Sequence, residues 1–159
     1  MRARAILLIL LALAACAPPA ARTPTSAAAA CPATARPGLD PQWCAGGEFR
    51  WPPADGFAAA PVLVVLPPGV LLDRFGAETG RFFSPKGAAY AARALPYTCT
   101  AQDYTVYRVV QPLPVWAGKA AAWFDQPGGA TQFQLDAPAR GLKQDRQIEP
   151  VMGKADRPC

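Results

Sequence analysis

The sequence predicts an α+β domain: small, mainly β, with a central antiparallel sheet, short helices and disulfide staples. Three observations predict it. Short β-branched or aromatic runs recur, each closed by Pro or Gly, and the chain carries 19 Pro and 13 Gly. None of its apolar runs after the first fifteen residues is long enough for a long helix. Five cysteines occur in only 159 residues, enough to staple one small domain.

MRARAILLILLALAAC has two arginines, an apolar run from Ala5 to Ala15, then a cysteine. A basic start, a short apolar core and a small-residue exit make a signal peptide, residues 1–15, too short to span a bilayer. Leu13-Ala14-Ala15-Cys16 resembles the lipobox of bacterial lipoproteins, which implies lipid on Cys16 and a place in the bacterial cell envelope, anchored to a membrane outside the cytoplasm. Ala17 to Ala30 is Ala, Pro, Thr and Ser with one Arg, so residues 16–30 read as a tether. Residues 31–159 are the folded domain.

Setting Cys16 aside leaves Cys31, Cys44, Cys99 and Cys159, an even number for two disulfides in an exported domain, with three pairings open. No pair has CxxC spacing and the chain has no His, so no metal site is expected. The net charge of +5 comes from scattered Lys and Arg, without the clustered footprint of a nucleic-acid binder. GxGxxG and GxxxxGK are absent, which removes Rossmann and P-loop phosphate binding.

Along the domain, Cys31 to Asp55 is rich in Pro, Gly and Trp. It reads as an irregular segment lying against the core and stapled by Cys31 and Cys44, with Trp43, Phe49, Trp51 and Phe57 as apolar anchors. Val62 to Leu66 predicts a buried strand ended by Pro67-Pro68-Gly69. Val70 to Asp73 and Arg81 to Ser84 predict two short strands, the second broken by Pro85 and Gly87. Ala88 to Leu95 has good helix formers and predicts a short helix. Asp103 to Gln111 is the clearest strand, with Tyr104, Val106, Arg108 and Val110 on one face and Thr105, Tyr107 and Val109 on the other; Pro112 and Pro114 stop it. Ala117 to Phe124 reads equally as helix or loop. Pro127-Gly128-Gly129 forces a turn, and Thr131 to Leu135 predicts a central strand. Ile148 and Val151 are the last apolar points.

The blocks VLPPGVLLDRFGAETGRFFSPKG, ARALP, YTVYRVVQPLPVWAG and AAWFDQPGGATQF resemble, in order and spacing, the TNT-type NAD glycohydrolases. That family is named for the tuberculosis necrotizing toxin and also contains secreted fungal NADases. The resemblance runs from about Phe49 to Leu135 and more weakly to Val151. The WPPADGF entry looks closer to the fungal members. The resemblance implies cleavage of NAD to nicotinamide and ADP-ribose, with NAD as substrate and no metal or bound cofactor.

It also implies site residues. The arginine of the DRFG block is Arg74, followed by Phe75. The aromatic after the next glycine is Phe82 or its neighbour Phe83, and the arginine of the RALP block is Arg93. The glutamine after the PGGxT turn is Gln132, the residue most tied to turnover in the family, so Gln132 and Arg74 are the expected catalytic pair. The family's mycobacterial toxin uses a histidine upstream of the YxVYRV block, where this chain offers Gln102, Asp103 or Tyr104.

The residue types suit the chemistry. Nicotinamide leaves NAD as a neutral ring, so departure needs no general acid; the costly event is positive charge on the ribose. A glutamine amide donates and accepts, which suits clamping ribose hydroxyls or orienting water. The guanidinium forks of Arg74 and Arg93 suit a pyrophosphate. Phe82, Phe83 and Trp123 are candidates to stack on a ring. Strand alternation predicts one of Phe82 and Phe83 in the core and the other outward. Arg108 and Asp125 stand as further substrate-binding candidates. Asp73, Glu78 and Asp125 are the acids near the blocks, and which of them faces the substrate stays open. Transfer of ADP-ribose, its cyclisation, and a non-catalytic envelope lipoprotein or NAD-binding module are the alternatives.

Overall fold

The computed structural model describes residues 31–151 and 156–159. The expected leader and tether, and the expected lipidation of Cys16, fall outside the described residues.

Seven strands form one antiparallel sheet: β3 (Val62–Leu66), β4 (Leu71–Phe75), β5 (Phe82–Pro85), β6 (Tyr104–Val109), β7 (Leu113–Lys119), β8 (Thr131–Gln134) and β9 (Ile148–Pro150), in spatial order β3-β7-β8-β5-β4-β6-β9. A separate two-stranded ribbon pairs β1 (Cys44–Ala45) with β2 (Glu48–Phe49). The helix α1 (Ala139–Gln144) is one and a half turns long. It packs Ala139 and Leu142 onto a core of Leu72, Phe83, Tyr107, Val109, Leu113, Val115, Phe133, Leu135 and Ile148. These residues recur at alternate strand positions, as one buried face of a pleated sheet requires. The mainly-β α+β class with a central antiparallel sheet is therefore what the chain adopts.

Four element expectations are corrected. Val62–Leu66 is a strand, but an edge one: Val62, Leu63 and Val65 are about 60% exposed, because β7 covers one side and no strand covers the other among the described residues. Ala88 to Leu95 yields only a 3-10 turn at Ala91–Arg93, ended by Ala94 in the left-handed region (φ 52°). Pro114 does not stop a strand. It lies inside β7 opposite Val65, at an end that β8 does not reach, where a missing N–H costs little. Ala117 to Lys119 continues β7 rather than forming a helix or loop. Helix α1 was not foreseen, since Gly141 interrupts its formers and only Pro138 before Ala139 marks its start.

The disulfides are Cys31–Cys44 and Cys99–Cys159, closing 13 and 60 residues. The first belongs to an N-terminal arm (residues 31–58) that packs a second, smaller apolar cluster of Leu39, Cys44 and Phe124, flanked by Trp43, Phe49 and Trp123. Asp125 clamps this arm: its Oδ1 accepts from Trp43 Nε1 (2.7 Å), its Oδ2 from the Asp40 backbone N–H (3.2 Å), and Arg36 pairs with it at 3.4 Å. Trp123 Nε1 donates to the Arg50 carbonyl at 2.7 Å and Arg36 Nη2 to that of Phe124 at 2.8 Å.

Candidate active site

The ends of β4, β5 and β8, the loop after β4 and the end of the N-terminal arm enclose an open cleft of two adjoining lobes, about 410 and 290 Å³. Trp51, Phe82, Arg93, Leu95 and Gln132 border both lobes. Arg74, Phe75, Phe83 and Gln102 line the larger; Asp55, Gly56 and Ala121 line the smaller.

Arg74 is 7% exposed and folds its own loop around itself. Its Nη2 donates to the Ala77 carbonyl (2.7 Å), Nη1 to that of Phe82 (3.1 Å) and Nε to that of Gly76 (3.4 Å). Gly80 lies so close that a Cβ there would fall 2.2 Å from Nη2. Burial lowers the Arg74 pKa from its ordinary value, partly offset by Tyr107 and Glu78. Arg74 thus fixes the loop connecting β4 to β5 while its side chain borders the cleft.

Phe82 and Phe83 divide by strand alternation, as expected: Phe82 is 37% exposed toward the cleft, and Phe83 is buried in the core with the Arg74 guanidinium 5.6 Å from its ring centre. Gln132 sits in β8 opposite Gly118 of β7. Its Nε2 donates to the Asp55 carbonyl at 3.0 Å, and its Oε1 has no partner among the described residues. A Cβ at Gly56 would meet the same amide at 3.8 Å, and Gly56 has φ +80°, a conformation that favours glycine. The arm holds this position through Ala58 N–H to Lys119 O and Ala121 N–H to Gly56 O, both 2.8 Å. Phe57 packs so tightly on Gly118 that a Cβ there would come 2.7 Å from its ring.

Gln132, Arg74, Phe75, Phe82, Phe83 and Arg93, from three sequence blocks, all border this cleft. Arg108, Trp123 and Asp125 lie outside its lining. Arg108 pairs with Glu149 on the far strands (3.3 Å), and Trp123 and Asp125 hold the arm. The acids near the blocks are likewise engaged elsewhere: Asp73 is fully buried and Glu78 pairs with Lys143 at 2.5 Å. The acid that borders the cleft is Asp55. Of the three residues near the place of the family's histidine, Gln102 lines the cleft. Asp103 offers its carbonyl to Gly76 N–H, and Tyr104 donates to Asp73 at 2.8 Å. Burial, and then that bond to Asp73, raises the Tyr104 pKa, so its hydroxyl stays a donor at neutral pH.

Trp51, Leu95 and Tyr97 are lining residues that sequence reasoning did not assign to the site. Trp51 reads as an anchor from sequence, yet it is 55% exposed, held at its rim by Phe124, Phe49 and Tyr97 with ring centres 5.3 to 6.3 Å away. The signal for it was the WPPADGF entry, which ends at the Phe57–Gly118 contact.

An antiparallel sheet with a cleft walled by arginine, aromatic and glutamine side chains defines a small-molecule binding or enzyme domain suited to an anionic, ring-bearing ligand. The family model of the tuberculosis necrotizing toxin, TNT, matches residues 65–151, and the chain belongs to that family. A curated relative, the conidial surface nicotinamide adenine dinucleotide glycohydrolase nadA of Aspergillus fumigatus, is 40% identical over 112 residues, 62% of this chain. The chain spans about half (48%) of that relative's length. The solved tuberculosis necrotizing toxin, in complex with its immunity factor IFT, has a similar fold at TM-score 0.54 and 19% identity over 64% of this chain and 61% of that one. Rhs1-CT, in complex with its cognate immunity protein RhsI1, aligns at TM-score 0.48 and 19% identity over 65% of this chain and 85% of that one.

Proposed function

We propose that this chain is an NAD glycohydrolase: water replaces nicotinamide on the ribose carbon of NAD, giving ADP-ribose, neutral nicotinamide and a proton. The observation that carries the reading is convergence. Arg74 and Phe82, Arg93, and Gln132 come from three sequence blocks that resemble the family's, and all four residues border one cleft. The activity named for the Aspergillus relative supports the same substrate.

The mechanism follows from what each group can do. The C–N bond to the pyridinium breaks heterolytically, its electron pair neutralising the ring, and positive charge spreads over the ribose ring oxygen. Gln132 suits this step. With Nε2 held by the Asp55 carbonyl, its Oε1 is fixed as an acceptor, able to hold a ribose hydroxyl or an attacking water and to stabilise positive charge nearby. Attack on an oxocarbenium needs water in position rather than a strong base. Arg93 supplies the positive charge for the pyrophosphate, while Arg74 keeps the loop that shapes the larger lobe. Phe82 and Trp51 offer exposed rings for stacking.

Gln132→Ala is expected to cut nicotinamide release by about 100-fold or more, the scale of removing one preorganised polar group. Turnover equal to wild type would remove Gln132 from the mechanism.

The two disulfides fit an oxidising compartment outside the cytoplasm. Lipid on Cys16, supported by the Leu13-Ala14-Ala15-Cys16 stretch, would hold the domain at the envelope. Cys16→Ser should move the protein from the membrane to the soluble fraction; protein that stays membrane-bound removes the anchor from this reading.

A further inference from the structure

Asp73 is a fully buried carboxylate in the middle of the sheet, beside the cleft but not on its surface. Its neighbours Leu72 and Arg74 point toward the core and the cleft loop; Asp73 points to the opposite side. A buried carboxylate is costly unless its oxygens find donors or a counter-charge.

Its two oxygens have different partners. Oδ2 accepts from the Gly87 backbone N–H and from the Tyr104 hydroxyl, both at 2.8 Å. Those contacts fix the carboxylate's plane. Oδ1 faces Arg93 Nη2 at 2.6 Å and meets no other donor among the described residues; the contact is an ion pair rather than an aligned hydrogen bond. Arg93 is itself buried. Its Nε and Nη2 donate to the Ala88 carbonyl (3.1 and 2.8 Å), and its guanidinium carbon lies 5.0 Å from the ring centre of Phe75. Phe75 is wedged between Tyr90 and Tyr104, with ring centres 4.7 and 4.8 Å away. Nη1 is the one Arg93 nitrogen without a partner among the described residues, and Arg93 borders both lobes.

We infer that Asp73 is a positioning residue: it parks Arg93 in the shared wall of the two lobes so that its Nη1 edge meets the pyrophosphate of the substrate. This rests on the NAD reading above. The physical reason is charge. A buried guanidinium keeps its place only where a counter-charge or several acceptors offset its desolvation: Arg74 has three carbonyls, Arg93 that of Ala88 alone. The Ala88 carbonyl alone supplies no negative charge. Asp73 supplies it from behind, where it cannot compete with substrate phosphates for the cleft-facing edge. Tyr104 and Gly87 hold the other oxygen, so the carboxylate stays aimed.

The test is ADP-ribose affinity by titration calorimetry, beside nicotinamide release, on the disulfide-intact protein. Asp73→Asn keeps the shape and removes the charge. It is expected to weaken ADP-ribose binding about tenfold or more, the scale of a charged contact, and to raise KM with little change in kcat. In an Arg93→Ala background the same substitution should cost no further affinity, since its effect passes through Arg93. Tyr104→Phe should show the same KM pattern at a few-fold. Equal affinity in wild type and Asp73→Asn, or losses that simply add in the double variant, overturns the positioning role. Should Asp73→Asn fail to fold, Tyr104→Phe decides, and unchanged affinity there overturns it. Wild type that binds ADP-ribose but releases no nicotinamide defeats the hydrolase reading and leaves the positioning role to the affinity series. Wild type that binds no ADP-ribose defeats both.

Discussion

The sheet and the N-terminal arm reach the same cleft by opposite means. The sheet places Arg74, Phe82 and Gln132 through backbone ladders and a continuous apolar core under α1. The arm has one ribbon with two-residue strands, and it is held by the Cys31–Cys44 bridge, edge-to-face aromatic contacts and side chains reaching backbone groups. Its contribution is Trp51 and the Asp55 carbonyl that orients Gln132. The family match covers residues 65–151, which includes the sheet strands from β4 to β9 and none of the arm. The sheet therefore carries what the family model matches, and the arm adds Trp51 and the Asp55 carbonyl to the cleft.

That division is breakable at three levels. The largest effect belongs to the sheet: the Gln132→Ala loss given above should leave ADP-ribose binding largely in place. If binding collapsed with turnover, the glutamine would be a binding residue and the division would blur. Next comes the arm's side chain. Trp51→Ala is expected to raise KM for NAD about tenfold, the scale of one lost aromatic–ring contact, with kcat little changed and the thermal midpoint nearly kept, since the ring is more than half exposed. A fall in kcat as large as that for Gln132→Ala would put the arm inside the chemistry.

The smallest effect is in the clamp. Bonds from Trp43 Nε1 and then the Asp40 N–H, with Arg36 nearby, hold the Asp125 carboxyl below its ordinary pKa. A carboxyl whose folded pKa lies below its unfolded one stabilises the folded arm at neutral pH, and that contribution is lost as pH falls through the folded value. Trp43 and Trp123 fluorescence should therefore shift in acid well before far-UV circular dichroism reports loss of the sheet. Asp125→Asn should abolish the early shift; simultaneous transitions in the wild type would mean that arm and sheet unfold as one unit.

Much of this was legible beforehand where the governing force is local. Alternation alone separates Phe82 from Phe83, and Pro-Gly punctuation marks the ends of β3 and the turn before β8. What sequence did not yield depends on long-range neighbours. Val62–Leu66 reads as buried because its residues are apolar, yet exposure is set by its place at the sheet edge. The run Ala88 to Leu95 has helix formers, but Ala88 O is taken by Arg93 and Ala92 O by Ala130 N–H, so tertiary partners override propensity. Asp73 beside Arg74 suggests a surface pair; its true partner, Arg93, is twenty residues on. Trp123 and Asp125 sit inside a family block but serve the arm, a role visible only once Trp43 and Arg50 are in place.

The edge position of β3 has a colloidal consequence. Val62, Leu63 and Val65 present an uncharged, aliphatic ribbon to solvent, with Trp116 of β7 also 41% exposed. Natural sheets guard such borders with a lysine, a bulge or an inward charge, and none interrupts VLVVL. Among the described residues this border is open to pairing with strands from neighbouring molecules in concentrated solution.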